Sequence, residues 1–180
     1  MKNKIIKLAV SIIICQGAGI AGSFFTASTI PIWYAALAKP FFVPPSWLFA
    51  PAWTILFLLM GISLYLVWEK KFKVRATEGQ EIPRAWNPIS QKLFSGSWKE
   101  ENIIAIFALQ LALNILWSVI FFGLKLPAVA FAEILMLWFA ILYTIVNFYR
   151  VSKPAAYLLI PYIAWVTFAA ILNFSIARLN

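Results

Sequence analysis

Two consecutive apolar blocks decide the fold: IIAIFALQLALNILWSVIFFGL (103–124) and, two residues later, PAVAFAEILMLWFAILYTIVNF (127–148). Each block is long enough to cross a bilayer as a helix, which takes about 20 predominantly apolar residues. Glu133 is the one charged residue inside either block. Hydropathy is continuous and shows no two-residue alternation, which favours helices over the strands of a barrel. The stretch therefore predicts two membrane-spanning helices.

Three further apolar blocks of similar length lie at 5–30, 47–68 and 155–176. The whole chain is 63% hydrophobic and 12% charged, with a mean hydropathy of +0.88. Soluble domains are about 45–50% apolar and about 25% charged. The sequence thus predicts an all-α integral membrane protein, a bundle of five transmembrane helices forming a single domain over residues 1–180. The first block is too long for the apolar core of a signal peptide, which spans about 7–15 residues.

The distribution of Lys and Arg predicts the orientation. Twelve of the fifteen basic residues lie at the N-terminus, in the polar loop 69–102 or in the connection before the fifth block. Cytoplasmic loops carry the excess of positive charge. We therefore expect a multi-pass protein with its N-terminus in the cytoplasm and its C-terminus on the opposite side.

The polar loop 69–102 holds five of the six acidic residues and seven basic ones. Its aromatic residues, such as Trp86 and Trp98, fit an amphipathic piece at the membrane interface. Its polarity fits a disordered connector equally well. Both alternatives stay open from the sequence.

Composition also excludes several function classes. The chain has no His and a single Cys, Cys15, so it lacks imidazole for acid–base catalysis or metal ligation and cannot form an intrachain disulfide. The net charge of +9 is divided among the segments between apolar blocks, whereas nucleic-acid binders cluster basic residues on one soluble face. We expect no metal site, no required cofactor and no nucleic-acid partner.

The segment PIWYAALAKPFFVPPSW (31–47) links the first two predicted helices. Its prolines fix φ and remove backbone donors, which predicts a stiff, aromatic lid. With Pro-Ala-Trp-Thr (51–54), Gln-Leu-Ala-Leu-Asn (110–114) and PYIAWVTFA (161–169), it resembles the tryptophan-rich sensory protein and translocator protein family, TspO/MBR. The resemblance covers nearly all of the chain outside 69–102. It implies binding of protoporphyrin, haem, sterols or other planar lipophiles.

Helical spacing groups the candidate ligand-binding residues into faces. Aromatic surfaces supply stacking area, and a few amides and hydroxyls recognise polar edges. Ala169 leaves room where a larger side chain would fill the space. Together with two lid residues that the resemblance adds, the candidates are Trp33, Tyr34, Trp53, Phe57, Gln110, Asn114, Trp117, Ser118, Tyr162, Trp165, Ala169 and Leu172.

Three functions are compatible with these residues. The first is a membrane receptor or sensor that binds tetrapyrroles by stacking and burial. The resemblance implies a second, light- and oxygen-dependent degradation of porphyrin, with Trp33 and Trp53 as the candidate catalytic residues, although no conventional catalytic constellation is present. The third is transport of porphyrin or sterol, disfavoured because the sequence shows no internal repeat. Leu172, Phe174 and Arg178 resemble the family's sterol-recognition segment, with Phe174 in place of the usual Tyr.

Three further expectations concern charge, assembly and membrane. Glu133 is expected to pair with Lys125 or Arg178 near the same membrane face, the alternative being a functional carboxylate. Small residues four apart, such as Ala18 and Gly22, fit either a homodimer or packing within one subunit. A bacterial membrane is favoured as the location, with the mitochondrial outer membrane as the alternative.

Overall fold

The computed structural model describes residues 2–77 and 101–180, and all regular secondary structure in this part of the chain is helical. Five of its segments are long and apolar enough to cross a membrane. The α-helices are α1 (Lys2–Thr26), α2 (Phe49–Thr77), α3 (Glu101–Ser118), α4 (Pro127–Val151), α5 (Lys153–Tyr157) and α6 (Ile160–Leu179). The predicted all-α, five-span architecture is confirmed.

The first helix ends earlier than hydropathy predicts. The sequence predicted a helix over 5–30, whereas α1 ends at Thr26 and a π-helical turn covers Ile30–Tyr34. Pro31 has no N–H with which to continue the hydrogen-bond ladder. The hydroxyl of Thr29 also donates to the Phe25 carbonyl at 2.9 Å, at the end of the helix. Hydropathy measures only how apolar a segment is, so it does not predict that α1 ends at Thr26.

The second helix is longer than predicted and enters the polar segment. The sequence placed its end at residue 68, but α2 continues to Thr77. Lys, Glu and Arg are good helix formers even where they are too polar for the membrane. A short 3₁₀ turn, Ser46–Leu48, precedes α2. Most of the loop 69–102, including Trp86 and Trp98, lies outside the described residues.

The third and fifth apolar blocks each contain an irregular turn. The block 103–124 consists of α3 followed by a π-helical turn, Val119–Gly123. The block 155–176 begins in the short helix α5 and continues in α6. Between them the Leu159 N–H donates to the Ala156 carbonyl at 3.1 Å, and Pro161 has no N–H to donate to Tyr157. The block 127–148 is covered by α4 without interruption.

Helices α1 and α2 make the most extensive helix–helix contact, and α4 packs against both α3 and α6. Gly61 allows the close approach of α1 and α2, because a Cβ there would lie 2.8 Å from Ile12 Cα. Buried side chains form two clusters. The larger contains Met60, and the smaller, next to the lid, contains Tyr34, Phe121 and Phe122.

Candidate ligand-binding cavity

A cavity of about 330 Å³ lies where the two buried clusters meet. Its walls come from the second half of α1, the start of α2, the end of α3 with the π-helical turn that follows, and α6. Helix α4 contributes no lining residue. The volume is at the lower end of the range of roughly 300–1,000 Å³ that ligand pockets occupy.

Aromatic rings form most of the cavity wall. The rings of Trp53 and Phe57 lie 5.7 Å apart on α2, as their i, i+4 spacing predicts. Trp117 stacks on Phe121 at 5.1 Å. Large, weakly polar surfaces of this kind bind flat apolar molecules by stacking and burial. Ala169 and Leu172 on α6 line the same space.

Tyr34 closes the lid end of the cavity. The π-helical turn Ile30–Tyr34 directs its ring towards Phe121 and Phe122, at 6.3 and 5.9 Å. Its hydroxyl is buried and has no hydrogen-bond partner among the described residues. Burial raises the pKa of the Tyr34 phenol above its ordinary value, so the group stays a neutral donor. An unsatisfied buried hydroxyl costs about 1–3 kcal/mol, which a ligand acceptor would recover.

A polar layer lies beneath the aromatic wall. Asn114 lines the cavity and donates from Nδ2 to the Tyr162 hydroxyl at 2.9 Å. One turn earlier on α3, Gln110 donates from Nε2 to Met60 Sδ at 3.9 Å. Gln110 and Tyr162 are buried and do not line the cavity. They support the wall instead of facing a ligand.

Asn173 connects the far wall to α4. Its Oδ1 accepts from Trp117 Nε1 at 3.0 Å, and its Nδ2 donates to the Pro127 carbonyl at 2.7 Å. One buried amide therefore fixes the Trp117 indole and ties three helices together. Asn173 also lines the cavity, although it is not among the twelve candidates drawn from the sequence.

Nine of the twelve predicted binding residues line the cavity, namely Tyr34, Trp53, Phe57, Asn114, Trp117, Ser118, Trp165, Ala169 and Leu172. Trp33 does not. Neighbouring residues of a helical turn point in different directions, and its ring packs on Phe121 at 5.6 Å instead. Sequence reasoning missed the wall from α1, which includes Gln16, Gly19 and Ser23. The available signal was the pair of small residues Ala18 and Gly22, which predicted only close helix packing, within one subunit or in a homodimer.

The small residues of α1 also serve that packing role. Ala18 is buried, and a Cβ on Gly22 would lie 3.1 Å from Ser118 Oγ of α3. This pair therefore packs within one subunit. The homodimer remains a prediction.

The predicted ion pair of Glu133 is wrong. Its side chain is 2% exposed, and both carboxylate oxygens lack a hydrogen-bond partner within residues 2–77 and 101–180. Arg178 lies over the Phe174 ring at 5.9 Å instead.

The residues that resemble a sterol-recognition segment do not share one surface, because Leu172 lines the cavity whereas Phe174 is 45% exposed. Residues two apart on a helix point to different sides.

No three His, Cys, Asp or Glu side chains of the described segments come together as they would at a metal site. Cys15 is fully buried in the core. The cavity offers aromatic faces, hydroxyls and amides, and these groups suit a planar, largely apolar organic ligand.

The fold and the cavity define a class: helical membrane proteins with five spans that enclose an aromatic cavity. The chain belongs to the TspO/MBR family, whose pattern matches residues 11–179. It is 43% identical to the tryptophan-rich protein TspO of Archaeoglobus fulgidus over 98% of both chains. It is 39% identical to the TspO of Chlorobaculum tepidum over 100% of this chain and 99% of that one. The human translocator protein is 34% identical over 82% of this chain and 75% of its own.

Proposed function

We propose that this protein is a membrane receptor or sensor that binds tetrapyrroles, such as protoporphyrin or haem, in the cavity between α1, α2, α3 and α6. The observation that carries the proposal is the composition of the cavity wall. Trp53, Phe57, Trp117 and Trp165 line one space together with a few hydroxyl and amide groups. A flat, mainly apolar ring with polar groups at its edge complements such a wall.

Ala169 leaves the space that the ligand ring would occupy. It lines the cavity next to Trp165 and Leu172, whereas the larger Phe168 beside it packs on Trp165 at 5.8 Å. A sterol is also flat and largely apolar, so it would compete for the same space. Competition between the two ligands would show one shared site.

The test is a titration with protoporphyrin in the dark, followed by quenching of Trp fluorescence. We expect saturable binding that Ala169→Phe weakens at least tenfold, because about one phenyl ring of added volume fills the space. Ala164→Phe is the matched control, since Ala164 is exposed on the same helix and does not line the cavity. Equal effects of the two substitutions would contradict the proposed site.

Porphyrin degradation is a second candidate, favoured by the position of one indole. Trp53 lines the cavity and Trp33 does not. An electron-rich indole beside a bound, illuminated porphyrin would intercept photo-generated oxidants. We expect Trp53→Phe to slow the light- and oxygen-dependent loss of bound protoporphyrin and Trp33→Phe to leave it unchanged. Equal rates in both variants and the parent would remove Trp53 from this role.

A further inference from the structure

The cavity opens sideways between α1 and α2. Ile20 and Ser23 on α1, with Ala50 and Thr54 on α2, line the cavity and are also exposed on the outer surface of the bundle. The two helices are in close contact at Gly61, on the side of the opening away from the lid. A ligand larger than about 330 Å³ therefore extends into this opening, with its edge between the two helices.

Three hydroxyl groups along the opening have already used their protons. Ser23 donates to the Ile20 carbonyl at 2.7 Å, Thr26 to the Ser23 carbonyl at 3.1 Å and Thr54 to the Ala50 carbonyl at 2.9 Å. Each hydroxyl therefore offers a ligand only acceptor lone pairs. These groups do not attract a carboxylate, which is itself an acceptor.

Gln16 differs from these residues. It lines the cavity beside Thr54, and its Nε2 donates to the Thr54 carbonyl at 3.0 Å. A primary amide has two N–H bonds, so one proton remains available. The hydrogen bond to Thr54 also fixes the amide in place, which reduces the entropy lost when the second N–H binds a ligand.

We propose that Gln16 is a specificity-determining residue, whose free N–H binds a carboxylate at the edge of a planar ligand lying in the opening between α1 and α2. This inference rests on the proposed function and adds the class of ligand, a planar lipophile that carries a carboxylate. Hydrogen bonds to ionised acceptors are about twice as strong as neutral ones.

The test compares two porphyrins in the dark: protoporphyrin, which carries carboxylates, and etioporphyrin, which carries only alkyl groups on the same ring. We expect the parent protein to bind protoporphyrin more tightly. Gln16→Leu should weaken protoporphyrin about tenfold and change etioporphyrin by less than about twofold. Asn147→Leu, which removes an amide bonded to a carbonyl of its own helix away from the cavity, should affect neither.

The outcomes separate the two proposals. Equal affinity of the parent for both porphyrins, or equal weakening of both by Gln16→Leu, would overturn the role of Gln16 and leave the proposed function standing. No saturable binding of either porphyrin would overturn both. If Gln16→Leu does not fold, Gln16→Glu serves instead, because it keeps the side-chain shape, removes both N–H donors and should abolish the preference for protoporphyrin.

Discussion

At the scale of single residues, Tyr34 is the residue whose hydroxyl is most clearly available to hydrogen-bond a ligand. Its hydroxyl is buried at the lid end of the cavity without an acceptor among the described residues, and burial raises the pKa of its phenol. The neutral, donating form therefore persists beyond the pH at which exposed tyrosines ionise. We expect Tyr34→Phe to weaken protoporphyrin binding about threefold to tenfold, measured by the same dark titration.

The raised pKa of Tyr34 also determines how that effect depends on pH. Because burial raises the pKa of Tyr34 above that of an exposed tyrosine, which is about 10, the ratio of parent to Tyr34→Phe affinity should be constant from pH 7 to about 9 in dark titrations. Tyr65→Phe is the matched control, because Tyr65 is a partly buried tyrosine of α2 that does not line the cavity. It should leave binding unchanged. A ratio for Tyr34→Phe that falls towards one within this range would contradict the assignment.

Asn173 carries a structural prediction. Asn173→Leu removes two hydrogen bonds and leaves Trp117 Nε1 and the Pro127 carbonyl without their partner, so it should lower the free energy of unfolding by about 2–4 kcal/mol. Asn147→Leu removes a single bond, from Nδ2 to the Tyr143 carbonyl of its own helix, and should cost less. Thermal unfolding in detergent compares the two, and equal losses would contradict the bridging role.

At the scale of elements, the contact between α1 and α2 depends on Gly61. A Cβ at this position would lie 2.8 Å from the Cα of Ile12, a backbone atom that cannot rotate away. Gly61→Ala should therefore destabilise the protein by about 1–3 kcal/mol, as overpacking does. Gly17→Ala is the control, because nothing lies within 4 Å of its added Cβ and alanine favours a helix. A neutral Gly61→Ala in detergent unfolding would disprove the close contact.

The five membrane-spanning helices were predictable from the sequence, but the residues at which they begin and end were less so. Continuous hydropathy predicted all five spans, because burial in lipid demands it. Regular helix is interrupted at Pro161, inside the block 155–176, and just before Pro31, which follows the block 5–30, and hydropathy gives no warning of either break. For α2 the predicted helix was too short, because its polar end remains helical to Thr77 instead of ending at residue 68. Whether a residue lines the cavity depends on the direction of its side chain. Helical spacing was enough to place Trp53 on the cavity wall, whereas the direction of Trp33 depends on the geometry of the π-helical turn.

At the scale of the whole molecule, the two ends of the described chain lie at opposite ends of the bundle. The Asn180 side chain accepts from the Ala38 N–H at 3.0 Å and donates to the Ala38 carbonyl at 3.1 Å, beside the lid. At the other end, Lys4 pairs with Glu69 at 3.7 Å. This arrangement follows from five crossings of the bundle.

The orientation in the membrane remains a prediction of the charge distribution. Basic residues near Lys4 and in 69–102 should hold that end in the cytoplasm. A reporter enzyme that is active only outside the cytoplasm should therefore be active when fused after Asn180 and inactive when fused before Met1. The reverse pattern would contradict the orientation.

The central claim is that the cavity holds a planar tetrapyrrole against Trp53 and Ala169. The most direct measurement is a crystal structure of the protein grown with protoporphyrin in the dark. We predict ring-shaped density inside the cavity, with one edge in the opening between α1 and α2 beside Gln16. Density confined to the outer surface of the helices, with the cavity unchanged, would contradict the claim.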